Sequence, residues 1–118
     1  MEIRTKRAYE PASRDDGTRI LVDGMWPRGV SKEDLAVDDW LKQAAPSAEL
    51  RNWFGHDPER WEGFRERYFR ELEEKTEVLK PLVETLRRGP LTLVYAARDE
   101  IHNNAVVLRD FLRRELEA

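Results

Sequence analysis

The chain has 118 residues, no cysteine, and 21 basic against 24 acidic side chains, for a formal net charge of −3. That length fits one domain whose core needs no disulfide or metal staple, and the missing thiol excludes disulfide frameworks, zinc thiolate and iron–sulfur sites and a cysteine nucleophile. The slightly acidic balance argues against a protein whose main business is coating DNA, and the 38% of charged residues alternate in sign, which argues against disorder.

Residues 3–9, IRTKRAY, read as a short strand with a polar face, and the turn formers of 11–17 read as a loop. Residues 18–25, TRILVDGM, predict a buried strand centred on Ile20-Leu21-Val22. Trp26-Pro27-Arg28-Gly29 must be a loop, because Pro removes a donor and Gly breaks the pattern. Ser31 is placed to cap a helix, with Asp34 in the capping-box position. Residues 38–45 fit a short strand or a helical turn. Pro46 ends them, and Ser47 is placed to cap a short helix through Leu50, Arg51 and Phe54. Asp57-Pro58 is an N-cap followed by Pro at the first helical position. Trp61, Phe64, Tyr68 and Leu72 then recur at spacings of three and four, which predicts a helix of about four turns. Residues 77–88 predict another, with Val78, Leu79, Leu82, Val83 and Leu86 inward and Pro81 as a kink or as the true start. Gly89-Pro90 is a stop.

Residues 91–97, LTLVYAA, are the second clear buried strand. Arg98-Asp99 reads as a very short link with Asp99 as N-cap. The last helix then carries Ile101, Ala105, Leu108, Leu112 and Leu116 on one stripe. Strands alternating with helices predict a single α/β domain over residues 1–118: a mainly parallel central sheet with helices packed on both faces, a three-layer sandwich.

Two segments share one plan, a buried strand, a short loop with an Arg, and a helix start. One runs from Val22 through Asp23, Trp26 and Arg28 to Ser31, the other from Val94 through Tyr95, Arg98 and Asp99 to His102 and Asn103. In an open parallel sheet both loops leave the carboxyl edge, where ligands bind and helix N-termini offer free N–H groups. Arg28 and Arg98 would add forked donors there, so the implied ligand is a small phosphate or carboxylate. The competing reading pairs Arg28 with Asp23 and Arg98 with Asp99 as simple ties between loops, and makes Asp99 a helix cap. Trp26 is then either a lid over a pocket or a plug on the sheet edge.

No Gly-x-Gly-x-x-Gly, Walker loop or Gly-x-Ser-x-Gly elbow is present, and two His without Cys form no recognisable metal set. Neither a cofactor nor a metal is predicted. No apolar run reaches the roughly 18 residues of a membrane span, and MEIRTKRAYE lacks an apolar signal core, so the expectation is a cytoplasmic protein without a membrane partner.

Asp16-Gly17-Thr18-Arg19-Ile20-Leu21-Val22-Asp23 and Trp26-Pro27-Arg28-Gly29 resemble the signature of the YeaO-like family, a bacterial and archaeal domain of unknown function. Ala45-Pro46-Ser47, Trp53-Phe54-Gly55-His56-Asp57-Pro58 and Tyr95-Ala96-Ala97-Arg98-Asp99 with His102-Asn103 extend the resemblance over nearly the whole chain. It implies a small single-domain α/β protein and no established activity. Gly24-Met25 stands where the family pattern has Arg-Leu, which removes a positive charge beside the expected pocket.

Together these readings give a pocket at the strand carboxyl ends. Trp26, Arg28, Arg51, His56, Tyr95, Arg98, Asp99 and Asn103 are its candidate ligand contacts, and Asp23 and His102 its candidate proton-transfer residues. The alternative is a non-catalytic nucleic-acid- or protein-binding module, which calls for an exposed basic stripe from Arg4, Lys6, Arg7, Arg14 and the Arg-rich helix at 60–70.

Overall fold

The computed structural model describes residues 2–117; Met1 and Ala118, the ends of the predicted domain, lie outside the described residues. Four strands, β1 (Ile3–Arg7), β2 (Thr18–Leu21), β3 (Asp39–Trp40) and β4 (Leu91–Tyr95), form one sheet in the order β1-β4-β2-β3. Every pairing is parallel, with Ile3 opposite Leu91, Thr18 opposite Leu91 and Ile20 opposite Asp39. The helices are α1 (Lys32–Leu35), α2 (Ala48–Phe54), α3 (Trp61–Glu73), α4 (Thr76–Arg88) and α5 (Asn104–Glu117). The architecture is the predicted α/β class.

Alternation along the strands divides the interior. Ile3, Ile20, Leu91, Leu93 and Tyr95 join a large core closed by α2, α3, α4 and α5. Leu21, Val94 and Ala8 face the other side, where Leu35 of α1, Trp26 and Trp40 cover them. Helices therefore sit on both faces, but the layers are unequal. On α3 the predicted stripe holds. Phe64, Tyr68 and Leu72 are buried at four-residue spacing, each worth about 2 kcal/mol of burial, and the Tyr68 hydroxyl donates to the Ala44 carbonyl.

The thinner face hides a polar cluster. Arg19 is buried, with Nη1 2.7 Å from Asp16 Oδ2 and Nη2 2.7 Å from the Leu35 carbonyl. Lys6 Nζ lies 3.2 Å from both Asp16 oxygens, and Thr92 Oγ1 donates to the Asp16 carbonyl at 2.7 Å. Burial pushes the Asp16 carboxyl up, but the Ser13 N–H, Lys6 and Arg19 outweigh it and hold it down at about 2. Gly17 turns the chain from this cluster into β2 at φ +63°, with no room for a side chain: a Cβ there would lie 2.4 Å from the Pro90 carbonyl oxygen.

Several boundaries differ from the sequence expectation: β1 stops at Arg7 rather than residue 9 and β4 at Tyr95 rather than residue 97, and α4, β2 and the last helix shift as well. The strand expected over 18–25 ends at Leu21, because Asp23 leaves the ladder to bond side chain to backbone with the segment after β4. The 38–45 ambiguity resolves into both options, the two-residue β3 and a 3-10 turn, Lys42–Ala44. The last helix starts at Asn104 rather than beside Asp99: Asn103 Oδ1 accepts from Val106 N at 3.0 Å and is the cap, whereas Asp99 caps a separate turn over Ile101 and His102. Ile101 is consequently exposed instead of lying on the helix stripe. α4 begins at Thr76 and continues past Pro81, whose ring is exposed.

Candidate functional site

The site is built where β2 and β4 end side by side. Val22 N donates to Val94 O at 3.1 Å, and the two chains then part. Asp23 ties them back together. Its Oδ2 accepts from Ala96 N at 2.9 Å and its Oδ1 from Asn104 Nδ2 at 3.0 Å. Trp40 Nε1 donates to the Asp23 carbonyl at 2.7 Å. Asn104 Nδ2 also reaches the Val22 carbonyl at 3.2 Å, so the first residue of α5 is locked to the end of β2. Burial pushes the Asp23 carboxyl up; the Asn104 and Ala96 bonds and the charges of Arg51 and His56 oppose this without cancelling it.

Above Asp23 opens a cavity of about 620 Å³, within the usual range for small-molecule sites. Arg28 and Arg51 lie on its lining and are exposed. Neither has a carboxylate partner among the described residues, so the reading that Arg28 ties to Asp23 fails. Trp26, Phe54 and Phe64 supply apolar wall. Trp26 is both plug and wall: its Nε1 donates to Val30 O at 2.7 Å and its ring meets Trp40 edge-on at 5.5 Å. His102 lines the cavity while its Nδ1 lies 2.9 Å from Asp99 Oδ2, a contact that fixes the ring and leaves Nε2 as its second polar atom.

Of the residues singled out in the sequence, Asp23, Trp26, Arg28, Arg51, His56, His102 and Asn103 share this lining. Tyr95, Arg98 and Asp99 are not part of it. Tyr95 ends β4 with its side chain in the large core, where burial, with the Glu100 and Glu10 charges, pushes the phenol up to about 12. The Asp99 carboxylate turns back onto the His102 and Ile101 N–H groups and the His102 ring, which hold it down at about 2. Arg98 sits exposed on the 96–103 segment. The expected pairing of Arg28 with Arg98 on one cavity is thus not found: Arg28 shares the lining with Arg51, and Arg98 lies outside it on the segment that precedes the late start of α5. Asn104 and Tyr9 are lining residues the sequence reading missed. The paired asparagines at 103 and 104 were the available signal, obscured by placing the helix start at Asp99.

Among the described residues no group of three or more His, Asp or Glu side chains is arranged to hold a metal, and no helix is long and apolar enough to cross a membrane. Much of the basic stripe required by the nucleic-acid alternative is spoken for. Lys6 pairs with Asp16, Arg7 Nε donates to Ala97 O, Arg65 pairs with Asp110 at 2.7 Å, and Arg4 contacts Glu2.

A family profile described as the inactive DUF488-N3 subclade matches residues 2–118. "Uncharacterized protein YeaO" of Escherichia coli is 46% identical over 113 residues, covering 96% of this chain and 98% of the relative. "Uncharacterized protein Rv3073c" of Mycobacterium tuberculosis is 42% identical over 110 residues, covering 93% and 92%. "Uncharacterized protein Mb3100c" of Mycobacterium bovis matches to the same extent. No solved structure matches the chain.

Proposed function

From the premise that this chain belongs to the inactive DUF488-N3 subclade, we propose that it is a binding protein for a small organic anion, taken up at the carboxyl edge of the sheet. The observation that carries this is the pair of guanidinium groups, Arg28 and Arg51, exposed and without acidic partners on the lining of one part-apolar cavity. A guanidinium binds phosphate or carboxylate through forked, charge-assisted hydrogen bonds, and the apolar wall favours an anion with an organic body. The word "inactive" in the family description favours holding over converting. The cytoplasm is the compartment this reading assigns.

Calorimetric titration with inorganic phosphate tests it. Binding should weaken about tenfold in Arg51→Gln and in Arg28→Gln, and steepen in its salt dependence for the wild type. No binding, or binding unaltered in the double variant, refutes it.

One observation favours a second reading, turnover. His102 is oriented by Asp99, and Asp23, its carboxyl raised by burial, lines the same cavity, so the two form a candidate proton-transfer pair. Conversion of a small anion by the wild type, abolished in His102→Gln with binding retained, would establish turnover over holding.

A further inference from the structure

The cavity presents two chemically different sets of groups. Its cations, Arg28 and Arg51, are exposed, the Arg51 charge reaching the Asp23 carboxyl, whereas the part-buried Asp23 side offers acceptors. An ionised carboxylate accepts about four hydrogen bonds, and Asp23 receives two, from Ala96 N and Asn104 Nδ2. Asn104 spends its amide nitrogen on Val22 O and Asp23 Oδ1, so the side-chain atom it has left is the carbonyl oxygen, an acceptor. That oxygen has no partner among the described residues, and it is not among the buried polar atoms lacking one, so it stays accessible. His102 adds Nε2, since Asp99 occupies Nδ1.

A ligand that fills this cavity must therefore bring negative charge to the arginines and several donors to the Asp23 side. An anion with a second, separate acidic group, such as a dicarboxylate, fails, because that group would face the Asp23 carboxylate. Adjacent hydroxyl groups succeed, because neighbouring O–H donors on one face of a ring match neighbouring acceptors on the cavity floor. The aromatic wall of Trp26 and Phe54 suits the C–H face of such a ring.

Resting on the anion-binding reading above, we propose that the ligand is a sugar phosphate, its phosphate at Arg28 and Arg51 and its hydroxyls against Asp23 and Asn104. A cavity of about 620 Å³ admits either a free sugar phosphate or the sugar-phosphate part of a nucleotide. The shared chemistry is the polyol phosphate; which of the two sources supplies it is read from the experiment.

The experiment is a calorimetric ladder on the full chain with inorganic phosphate, ribose 5-phosphate, adenosine monophosphate and phosphoethanolamine. Ribose 5-phosphate should bind at least about tenfold more tightly than inorganic phosphate, the gain expected from one or two hydrogen bonds to a charged acceptor. Further tightening with adenosine monophosphate assigns a nucleotide as the source, and no tightening assigns a free sugar phosphate. Asp23→Asn should erase the preference for ribose 5-phosphate over inorganic phosphate. Asn104→Ala should reduce it, and circular dichroism verifies that each variant is folded. Equal binding of ribose 5-phosphate and inorganic phosphate overturns the sugar assignment and leaves the anion reading standing. Preference for phosphoethanolamine overturns it in favour of an ammonium at Asp23. Binding of none of the four overturns both readings together.

Discussion

Replacing Arg19 by Met tests whether the first half of the Asp16–Asp23 segment serves the fold and not the ligand. Arg19 is buried under the sheet and makes one ion pair and three contacts to the Leu35 and Ala36 carbonyls. Met keeps much of the volume but leaves Asp16 short of one of its two cations and strands two carbonyls. Breaking a buried pair in this way costs about 3–5 kcal/mol, a large part of the ~5–15 kcal/mol that holds such a domain together. With a urea slope near 2 kcal/mol/M, the unfolding midpoint should drop by about 2 M. Asp16 gives a second readout. Its folded carboxyl sits at about 2 against an ordinary 3.8, so its contribution is complete above pH 3.8 and lost as pH falls from there toward 2. That difference is worth about 2 kcal/mol at neutral pH, and Asp16→Asn should flatten the acid limb of stability against pH by that amount. A loss below about 1 kcal/mol in Arg19→Met, or an acid limb unchanged in Asp16→Asn, would show that the cluster is not what holds this face.

Gly17→Ala should cost about 4 kcal/mol in chemical denaturation, because the added Cβ meets the Pro90 carbonyl oxygen at 2.4 Å and the backbone already lies at φ +63°. Asn103→Ala removes the cap of α5 and the donor to Asp99 O, and should lower stability by about 1–2 kcal/mol with little change in phosphate binding. Gly24→Arg adds a cation to the cavity lining beside Arg51. Its Cβ would meet Ala45 Cβ at 3.8 Å and Arg51 Nη1 at 3.9 Å, ordinary contact distances, so the protein should stay folded and bind phosphate about three- to tenfold more tightly at low salt.

Local signals were legible wherever one residue type decides a local bond. Ser31 and Ser47 accept from the N–H three residues on, as their positions before helices predict, and Asp57-Pro58 opens a 3-10 turn that leads into α3. The buried strands were legible from their apolar runs, because a parallel strand is covered on both faces. What could not be read depends on contacts between segments far apart in sequence. Asp23 leaves β2 because Ala96 N and Asn104, more than seventy residues away, claim its carboxylate. Arg51 reaches the cavity through the placement of α2, which no spacing along the chain encodes. Arg19 alternates with Ile20 as any exposed strand residue would, and only the fold of 14–16 and α1 around it makes it a buried cation.

The position of the cavity follows from connectivity. β2 and β4 are neighbours, but the chain leaves them in opposite directions. After β2 it passes through α1 on the thinner face and returns as β3 on the outer side of β2. After β4 it enters α5, which packs on the opposite face over β1 and β4. Loops that diverge from adjacent strand ends open a crevice, which is why ligands gather at such switch points. Here the crevice is closed at its base by the Asp23–Ala96 bond and walled by residues from both diverging loops, with Arg51 supplied by α2 from the side. The sheet below needs none of these side chains for its ladder. Most of the cavity's lining therefore comes from residues 23–28, 51–56 and 96–104, with Tyr9, Ala45, Pro46 and Phe64 completing it, and a scaffold with one core can alter its pocket largely by changing those three segments.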